Sequence, residues 1–174
     1  MTSISGNTGD DALRSLAAEA GALLLAAGRR VVTAESCTGG WVAKCLTDIA
    51  GSSRWFERGY VTYSNAAKAQ SIGVAESVID TFGAVSRPTA EQMAAGALHV
   101  SGADMAVAVT GIAGPDGGSA DKPVGLVWFA LAQRTTAPVA IQAQFAGDRE
   151  AIRRAAVATA IQMIITAAAA WAQP

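Results

Sequence analysis

Residues 31–40 are Val31-Val32-Thr33-Ala34-Glu35-Ser36-Cys37-Thr38-Gly39-Gly40, an apolar run followed by a polar turn and two glycines. The β-branched content of residues 30–34 is typical of a short buried strand. Residues 35–40 are predicted to form a turn, and a helix is predicted to follow over residues 39–48. In open α/β sheets, ligands bind beyond the carboxyl ends of the strands. The stretch therefore predicts an α/β fold with a site at the turn.

The rest of the chain alternates between helical and strand patterns. Further strands are predicted over residues 55–63, 106–110, 124–132 and 137–145, and helices over residues 10–27, 66–72, 76–82 and 149–170 and from residue 87 onward. This alternation predicts an α/β protein, a three-layer α/β/α sandwich. Only four residues separate the last two strands. They are therefore expected to form a hairpin, which makes the sheet mixed, mostly parallel.

The length and the charge of the chain limit its organisation and its partners. A chain of 174 residues has the size of one domain. Residues 1–9 are polar and predict a flexible tail, which leaves residues 10–174 as a single domain. Lys and Arg number 13 and Asp and Glu number 14, for a net charge of -1. This balance is unlike the basic surface of proteins that bind nucleic-acid phosphates, so no nucleic-acid partner is expected.

The distribution of apolar residues and cysteines predicts the compartment. A membrane-spanning helix needs about 20 consecutive apolar residues, and the closest run, residues 161–171, is shorter. No apolar leader occurs at the N-terminus. Cys37 and Cys45 form no CxxC pair, and His99 is the single histidine. We therefore expect neither a disulfide framework nor a metal site, no membrane partner, and a cytoplasmic location.

Ser36 lies where the predicted helix begins and where main-chain N–H groups are free. A serine in such a place can act as a nucleophile, with neighbouring N–H groups stabilising an oxyanion. The commoner role is capping of the helix by Ser36 or Thr38. Cys37 is the other candidate nucleophile, although a free buried cysteine is more often inert. The residue types at this turn leave these alternatives open.

A serine nucleophile needs a base. His99 falls within a predicted helix of small residues and is expected to be structural or exposed. Lysine serves as a base when burial lowers its pKa, and the chain has Lys44, Lys68 and Lys122. Lys44 is expected to point to solvent, whereas Lys68 follows the end of a predicted strand and a cap signal. The alternative for Lys68 is a solvated helix residue.

A glycine-rich loop, residues 111–118, follows the predicted strand at 106–110. Glycines let the main chain approach a ligand and form concavities that bind anions. The loop lacks the Gly-Lys-Ser/Thr ending of a P-loop, and Pro115 interrupts any dinucleotide-binding glycine pattern. It is predicted either to line a site or to be an ordinary surface turn.

Three stretches stand out together: residues 33–40, residues 59–68 (Gly59-Tyr60-Val61-Thr62-Tyr63-Ser64-Asn65-Ala66-Ala67-Lys68), and residues 109–118 with Lys122-Pro123-Val124-Gly125 after them. In this order they resemble the CinA C-terminal domain family, the nicotinamide-nucleotide amidases, over nearly the whole chain. The resemblance implies a three-layer α/β/α sandwich and no metal or organic cofactor. It also implies hydrolysis of the carboxamide of nicotinamide mononucleotide to nicotinic acid mononucleotide and ammonia, a reaction that recycles pyridine nucleotides.

The resemblance further implies roles for single residues. Ser36 matches the catalytic serine, Lys68 matches its partner lysine, and Tyr63 matches a tyrosine that relays a proton or holds the lysine. The turn amides of residues 37–39 are expected to receive the oxyanion. The substrate-binding residues are expected to be Cys37, Thr38, Gly39, Gly40, Asn65, Thr110, Gly111, Ala113, Gly114 and, for the phosphate, Arg149.

Two other functions fit the same residues. One is a non-catalytic nucleotide-binding or competence-related module, and the other is a Ser-Lys amidase with another substrate. The assembly is a separate question. The alanine-rich terminal helix that ends at Trp171 exposes apolar surface when it is alone, and this predicts a homo-oligomer.

Overall fold

The computed structural model describes residues 9–171, and these form one five-stranded sheet with helices on both faces. The strands are β1 (Val31–Glu35), β2 (Phe56–Val61), β3 (Met105–Gly111), β4 (Leu126–Gln133) and β5 (Thr136–Gln144), in the order β2-β1-β3-β4-β5. β1 pairs in parallel with β2 and β3, and β4 pairs antiparallel with β3 and β5. Four strands therefore run in one direction and β4 runs against them, which confirms the predicted mixed, mostly parallel sheet and its hairpin.

Six α-helices of the described residues form the two outer layers. They are α1 (Asp10–Ala26), α2 (Trp41–Thr47), α3 (Asn65–Ile72), α4 (Glu76–Phe82), α5 (Arg87–Ser101) and α6 (Arg149–Trp171). α1, α2 and α6 pack on one face of the sheet, and α3, α4 and α5 pack on the other. This arrangement confirms the predicted three-layer α/β/α sandwich.

The boundaries near residue 40 differ from the prediction for a physical reason. Gly39 and Gly40 have φ angles of 61° and 94°, which side chains rarely adopt, so they form the end of the turn and α2 begins only at Trp41. β1 extends to Glu35, which was predicted as part of the turn. Of the predicted tail, residues 1–8 lie outside the described residues, and Gly9 directly precedes α1.

The two faces of the sheet carry side chains of different size. β3, for example, presents Val107 to the layer of α1 and α6 and Ala106 to the layer of α5. The small side chains let α5 pack closely on the sheet, and a glycine of α5 lets α3 approach α5. At Gly96 of α5 a Cβ atom would lie 1.8 Å from the carbonyl oxygen of Ile72 in α3, so only glycine fits there. This close packing holds α3, and Lys68 with it, against the ends of β1 and β2.

The apolar composition of α6 is explained by its place in the core. Within residues 9–171 it is the one helix long and apolar enough to cross a membrane by length and composition. Its residues Ala156, Ala160 and Ile164 are fully buried, and the helix packs against α1, β3 and β4. The absence of a membrane partner stays a prediction.

Candidate active site

Ser36 occupies a tight turn between β1 and α2. Its main-chain N–H donates to the carbonyl of Val109 at 2.9 Å, which ties the turn to β3, and its carbonyl accepts from the N–H of Gly39 at 3.0 Å. The positive φ angles of Gly39 and Gly40 let the chain enter α2 directly afterwards. The turn therefore holds the Ser36 hydroxyl at the carboxyl edge of the sheet, where a site was predicted.

Glu35 holds this turn in place through hydrogen bonds, a role that was not predicted from the sequence. Its side chain is 1% exposed. It accepts from the hydroxyls of Thr33 and Thr38, at 3.2 and 2.7 Å, and from three main-chain N–H groups at 2.8 to 3.0 Å, those of Gly40, Val42 and Ala43. The available signal was an acidic residue between an apolar strand and a helix start, where free N–H groups attract a carboxylate.

Lys68 meets Ser36 across the end of β2. Ser64 caps α3 by accepting from the N–H of Ala67 at 3.0 Å, and Lys68 follows one turn later. Its side chain is 1% exposed. Its Nζ atom donates to the Ser36 hydroxyl at 3.1 Å and to the carbonyls of Thr62 and Tyr63 at 2.9 and 3.4 Å. The alternative prediction of a solvated Lys68 is therefore wrong.

Burial lowers the pKa of Lys68 from its ordinary value of 10.5. The Nζ atom has three oxygen neighbours, and none of them is a carboxylate. The ammonium form is therefore deprived of water without gaining an opposite charge, which favours the neutral amine. A neutral amine beside a hydroxyl is able to accept its proton.

The other candidate bases lie elsewhere. Lys44 points to solvent, as predicted, and forms an ion pair with Asp48. Lys122 donates to the carbonyl of Phe82 at 2.6 Å, and His99 is exposed on α5. None of these three side chains contacts Ser36, whereas Lys68 does.

A cavity of about 280 Å³ opens beside Ser36 and Lys68. Its lining includes most of the residues expected at the site, namely Ser36, Cys37, Tyr63, Lys68, Thr110, Gly111, Ala113, Gly114 and Arg149, together with Ala84, Val85, Ile112, Asp116 and Gly117. The glycine-rich loop therefore forms one wall. The hydroxyl of Thr110 donates to the carbonyl of Ala84 at 2.8 Å and ties this wall to the segment before α5.

Four expected residues do not line the cavity: Thr38, Gly39, Gly40 and Asn65. The Thr38 hydroxyl and the Gly40 N–H are bound to Glu35, and the Gly39 N–H is bound to the Ser36 carbonyl. Asn65 is exposed at the first position of α3. The amides of Cys37 and Thr38 are the two in the turn that hydrogen-bond to no other described residue.

Tyr63 and Arg149 meet at the mouth of the cavity. The ring of Tyr63 is largely exposed, and its hydroxyl accepts from Arg149 at 3.1 Å. Arg149 also donates to the carbonyl of Gly114 at 2.7 Å, so it connects two walls of the cavity. Tyr63 contacts Lys68 through its main-chain carbonyl rather than its hydroxyl. A structural role in holding the lysine is therefore the one that this geometry favours.

Cys37 does not compete with Ser36 as a nucleophile. Burial raises the pKa of the Cys37 thiol to about 12, and the thiolate is the reactive form. Within residues 9–171, no three His, Cys, Asp or Glu side chains lie together as metal ligands would. The expectation of a reaction without metal or cofactor stays a prediction.

Comparisons with known proteins agree on one family. The model of the CinA C-terminal domain matches residues 13–168. Nicotinamide-nucleotide amidohydrolase PncC of Escherichia coli K12 is 57% identical over 155 residues, which are 89% of this chain and 94% of that protein. The crystal structure of competence/damage inducible protein CihA from Agrobacterium tumefaciens is 47% identical, with a TM-score of 0.83 over 99% of this chain and 100% of that chain. A competence damage-inducible protein A from Klebsiella pneumoniae has a TM-score of 0.87 at 38% identity, over 91% of this chain and 98% of that chain.

Proposed function

Because the chain belongs to the CinA C-terminal domain family, we propose that it hydrolyses the carboxamide of nicotinamide mononucleotide to nicotinic acid mononucleotide and ammonia. The chain is a hydrolase, and its 57% identity with the nicotinamide-nucleotide amidohydrolase of E. coli supports this substrate. The observation that carries the mechanism is the 3.1 Å contact between the buried Lys68 amine and the Ser36 hydroxyl. A serine nucleophile with a lysine base requires this contact.

The first step is activation of Ser36. In the neutral Lys68 amine, two N–H bonds donate to the carbonyls of Thr62 and Tyr63, and the lone pair is left for the Ser36 hydroxyl. Lys68 takes the hydroxyl proton while the serine oxygen bonds to the amide carbon. The carbonyl oxygen becomes an oxyanion, which the Cys37 and Thr38 amides receive.

The second step releases ammonia, and the third restores the enzyme. The Lys68 ammonium gives its proton to the amide nitrogen as the C–N bond breaks, which leaves Ser36 acylated. Lys68, neutral again, takes a proton from water, and the hydroxide attacks the acyl carbon. The ester bond then breaks, the Ser36 oxygen regains a proton from Lys68, and the carboxylic acid leaves.

The nucleotide part of the substrate extends to the cavity mouth. Arg149 contacts the phosphate there, since its guanidinium lines the cavity beside the glycine-rich loop and is suited to bind a phosphate. Tyr63 holds Lys68 through its carbonyl. The reaction belongs to pyridine nucleotide recycling in the cytoplasm. The homo-oligomer stays a prediction without its original ground, since α6 packs its apolar residues against α1, β3 and β4 of the same chain.

The test measures ammonia release from nicotinamide mononucleotide, without added metal, by the wild type, by Ser36→Ala and by Ser77→Ala. Ser77 is an exposed serine of α4 outside the cavity and serves as the matched control. We expect release by the wild type and by Ser77→Ala and none by Ser36→Ala. Release by Ser36→Ala would contradict the acyl-enzyme, and no release by the wild type would contradict the substrate.

A further inference from the structure

Arg153 of α6 contacts the turn that carries Ser36. Its Nε atom donates to the carbonyl of Cys37 at 3.0 Å, and its Nη2 atom donates to the carbonyl of Thr38 at 2.9 Å. Arg153 does not line the cavity. It therefore reaches the turn only through main-chain carbonyls, and nothing in the sequence around residue 153 indicated such a contact.

The guanidinium of Arg153 is held in place by Trp41, the first residue of α2. It lies 5.2 Å from the centre of the Trp41 ring, at a distance typical of a cation–π contact. The neighbouring Arg154 lies 4.9 Å from the same ring, but its ion pairs are with Asp10 and Glu150. Two adjacent arginines thus share one aromatic partner, and Arg153 is the one bound to the carbonyls of the turn.

Because a peptide unit is planar, the contact of Arg153 with a carbonyl also fixes the direction of the N–H group that follows it. In a trans peptide the C=O and the following N–H point in opposite directions. Because Arg153 holds the carbonyls of Cys37 and Thr38, the next N–H groups, those of Thr38 and Gly39, point away from α6. The Gly39 N–H already shows this direction, since it donates to the Ser36 carbonyl at 3.0 Å. The Thr38 N–H also points away from α6, because Arg153 binds the Cys37 carbonyl of the same peptide unit.

The positive charge of Arg153 also strengthens the N–H groups of the turn as donors. A guanidinium that donates to a carbonyl polarises the peptide unit, which makes the N–H at its other end a stronger donor. Glu35 also binds the N–H groups of Gly40, Val42 and Ala43. The turn is therefore held between a buried anion and a cation, and the amides of Cys37 and Thr38 bind no other described residue.

We propose that Arg153 is a positioning residue for the reaction: by binding the Cys37 and Thr38 carbonyls, it holds the turn so that the Thr38 amide, beside that of Cys37, receives the oxyanion. The proposal rests on the acylation of Ser36 described above. Arg153 touches neither the substrate nor Lys68, so it acts on the stability of the transition state and not on binding or on the base.

The test compares Arg153→Met, Arg153→Lys and the control Arg154→Met in ammonia release from nicotinamide mononucleotide. Loss of an oxyanion donor lowers kcat by about 10²–10³-fold, and loss of its positioning is expected to lower kcat by about 10- to 100-fold. We expect little change in KM and an unchanged pH dependence of kcat/KM, since Lys68 keeps its contacts. Arg153→Lys retains a charged donor and is expected to be intermediate, and Arg154→Met to match the wild type.

A second measurement, the rate at which a fluorophosphonate labels Ser36, separates this proposal from the proposed substrate. Labelling also places negative charge at the turn, so Arg153→Met is expected to slow it. If the wild type is labelled but releases no ammonia, the substrate is wrong and the labelling rates still decide the role of Arg153. An unchanged kcat and labelling rate in Arg153→Met, a rise in KM alone, or a shifted pH profile would overturn the proposal. A wild type that is neither active nor labelled would overturn both, and Arg153→Lys provides the comparison if Arg153→Met fails to fold.

Discussion

Glu35, the last residue of β1, and Lys68, in α3, are two ionisable side chains that are each 1% exposed and have opposite surroundings. The carboxylate of Glu35 accepts five hydrogen bonds, three of them from main-chain N–H groups. The Nζ atom of Lys68 contacts two carbonyls and one hydroxyl and has no carboxylate partner. The carboxylate of Glu35 is thus fully hydrogen-bonded, whereas a positive charge on Lys68 would be only partly compensated.

These surroundings suit Glu35 to a structural role and Lys68 to a role in the reaction. A carboxylate surrounded by donors is held in one position and supports the turn that carries Ser36. An amine among neutral oxygens holds its proton weakly, because burial penalises its charged form and lowers its pKa. We therefore expect changes at Glu35 to affect folding first, and changes at Lys68 to affect the reaction first.

The largest expected effect is the loss of activity in Lys68→Met. Methionine fills the buried space but accepts no proton from Ser36, so kcat/KM for ammonia release should fall by about 10³-fold or more. The measurement is a steady-state assay with circular dichroism as a check of folding. Lys44→Met removes an exposed lysine and is the matched control, with activity close to that of the wild type. Activity retained in Lys68→Met would remove Lys68 from the mechanism.

The next effect is a loss of stability in Glu35→Gln. One carboxylate oxygen accepts from the Ala43 N–H and the other from those of Gly40 and Val42. Whichever way the glutamine amide turns, its NH₂ group faces at least one main-chain N–H, which leaves buried donors unpaired. We expect the free energy of unfolding to fall by about 3 kcal/mol, measured by urea denaturation.

The control for this change is Glu91→Gln, which removes a charge from an exposed ion pair with Arg87. Such pairs contribute little, so a change below about 0.5 kcal/mol is expected. An equally small change in Glu35→Gln would mean that the buried carboxylate is not the support of the turn.

The smallest effect is a pH dependence of stability that depends on Lys68. Below its lowered folded-state pKa, both the folded and the unfolded chain hold the proton, and the folded chain bears the full penalty of a buried charge. As the pH rises from that pKa toward the unfolded value near 10.5, the folded chain has lost the proton first, and the free energy of unfolding increases. The buried thiols of Cys37 and Cys45 have raised pKa values, so they lower the free energy of unfolding of both proteins alike over the same alkaline range. Urea denaturation at several alkaline pH values should therefore show a more positive slope of that free energy against pH in the wild type than in Lys68→Met. The same slope in both proteins would contradict the pKa shift.

Much of the fold was predictable because local patterns carry it. Residues 106–110 were predicted as a buried strand and lie within β3, and the short gap before residue 137 predicted the hairpin of β4 and β5. The strand pairing extends further than the pattern indicated, so only two residues separate these strands. At the site, Ser36 and the glycine-rich loop were predictable, since both follow strands whose ends meet at one edge of the sheet.

The sequence by itself determined the order of the elements, the three-layer architecture and, through three motifs, the family. Only the tertiary structure decided that Lys68 is buried against Ser36, that Glu35 binds the start of α2, and that Arg153 reaches the turn from α6. The reason is physical. Periodicity and turn chemistry report on neighbours along the chain, whereas burial, a shifted pKa and a charge on a distant carbonyl arise only when separate elements pack together.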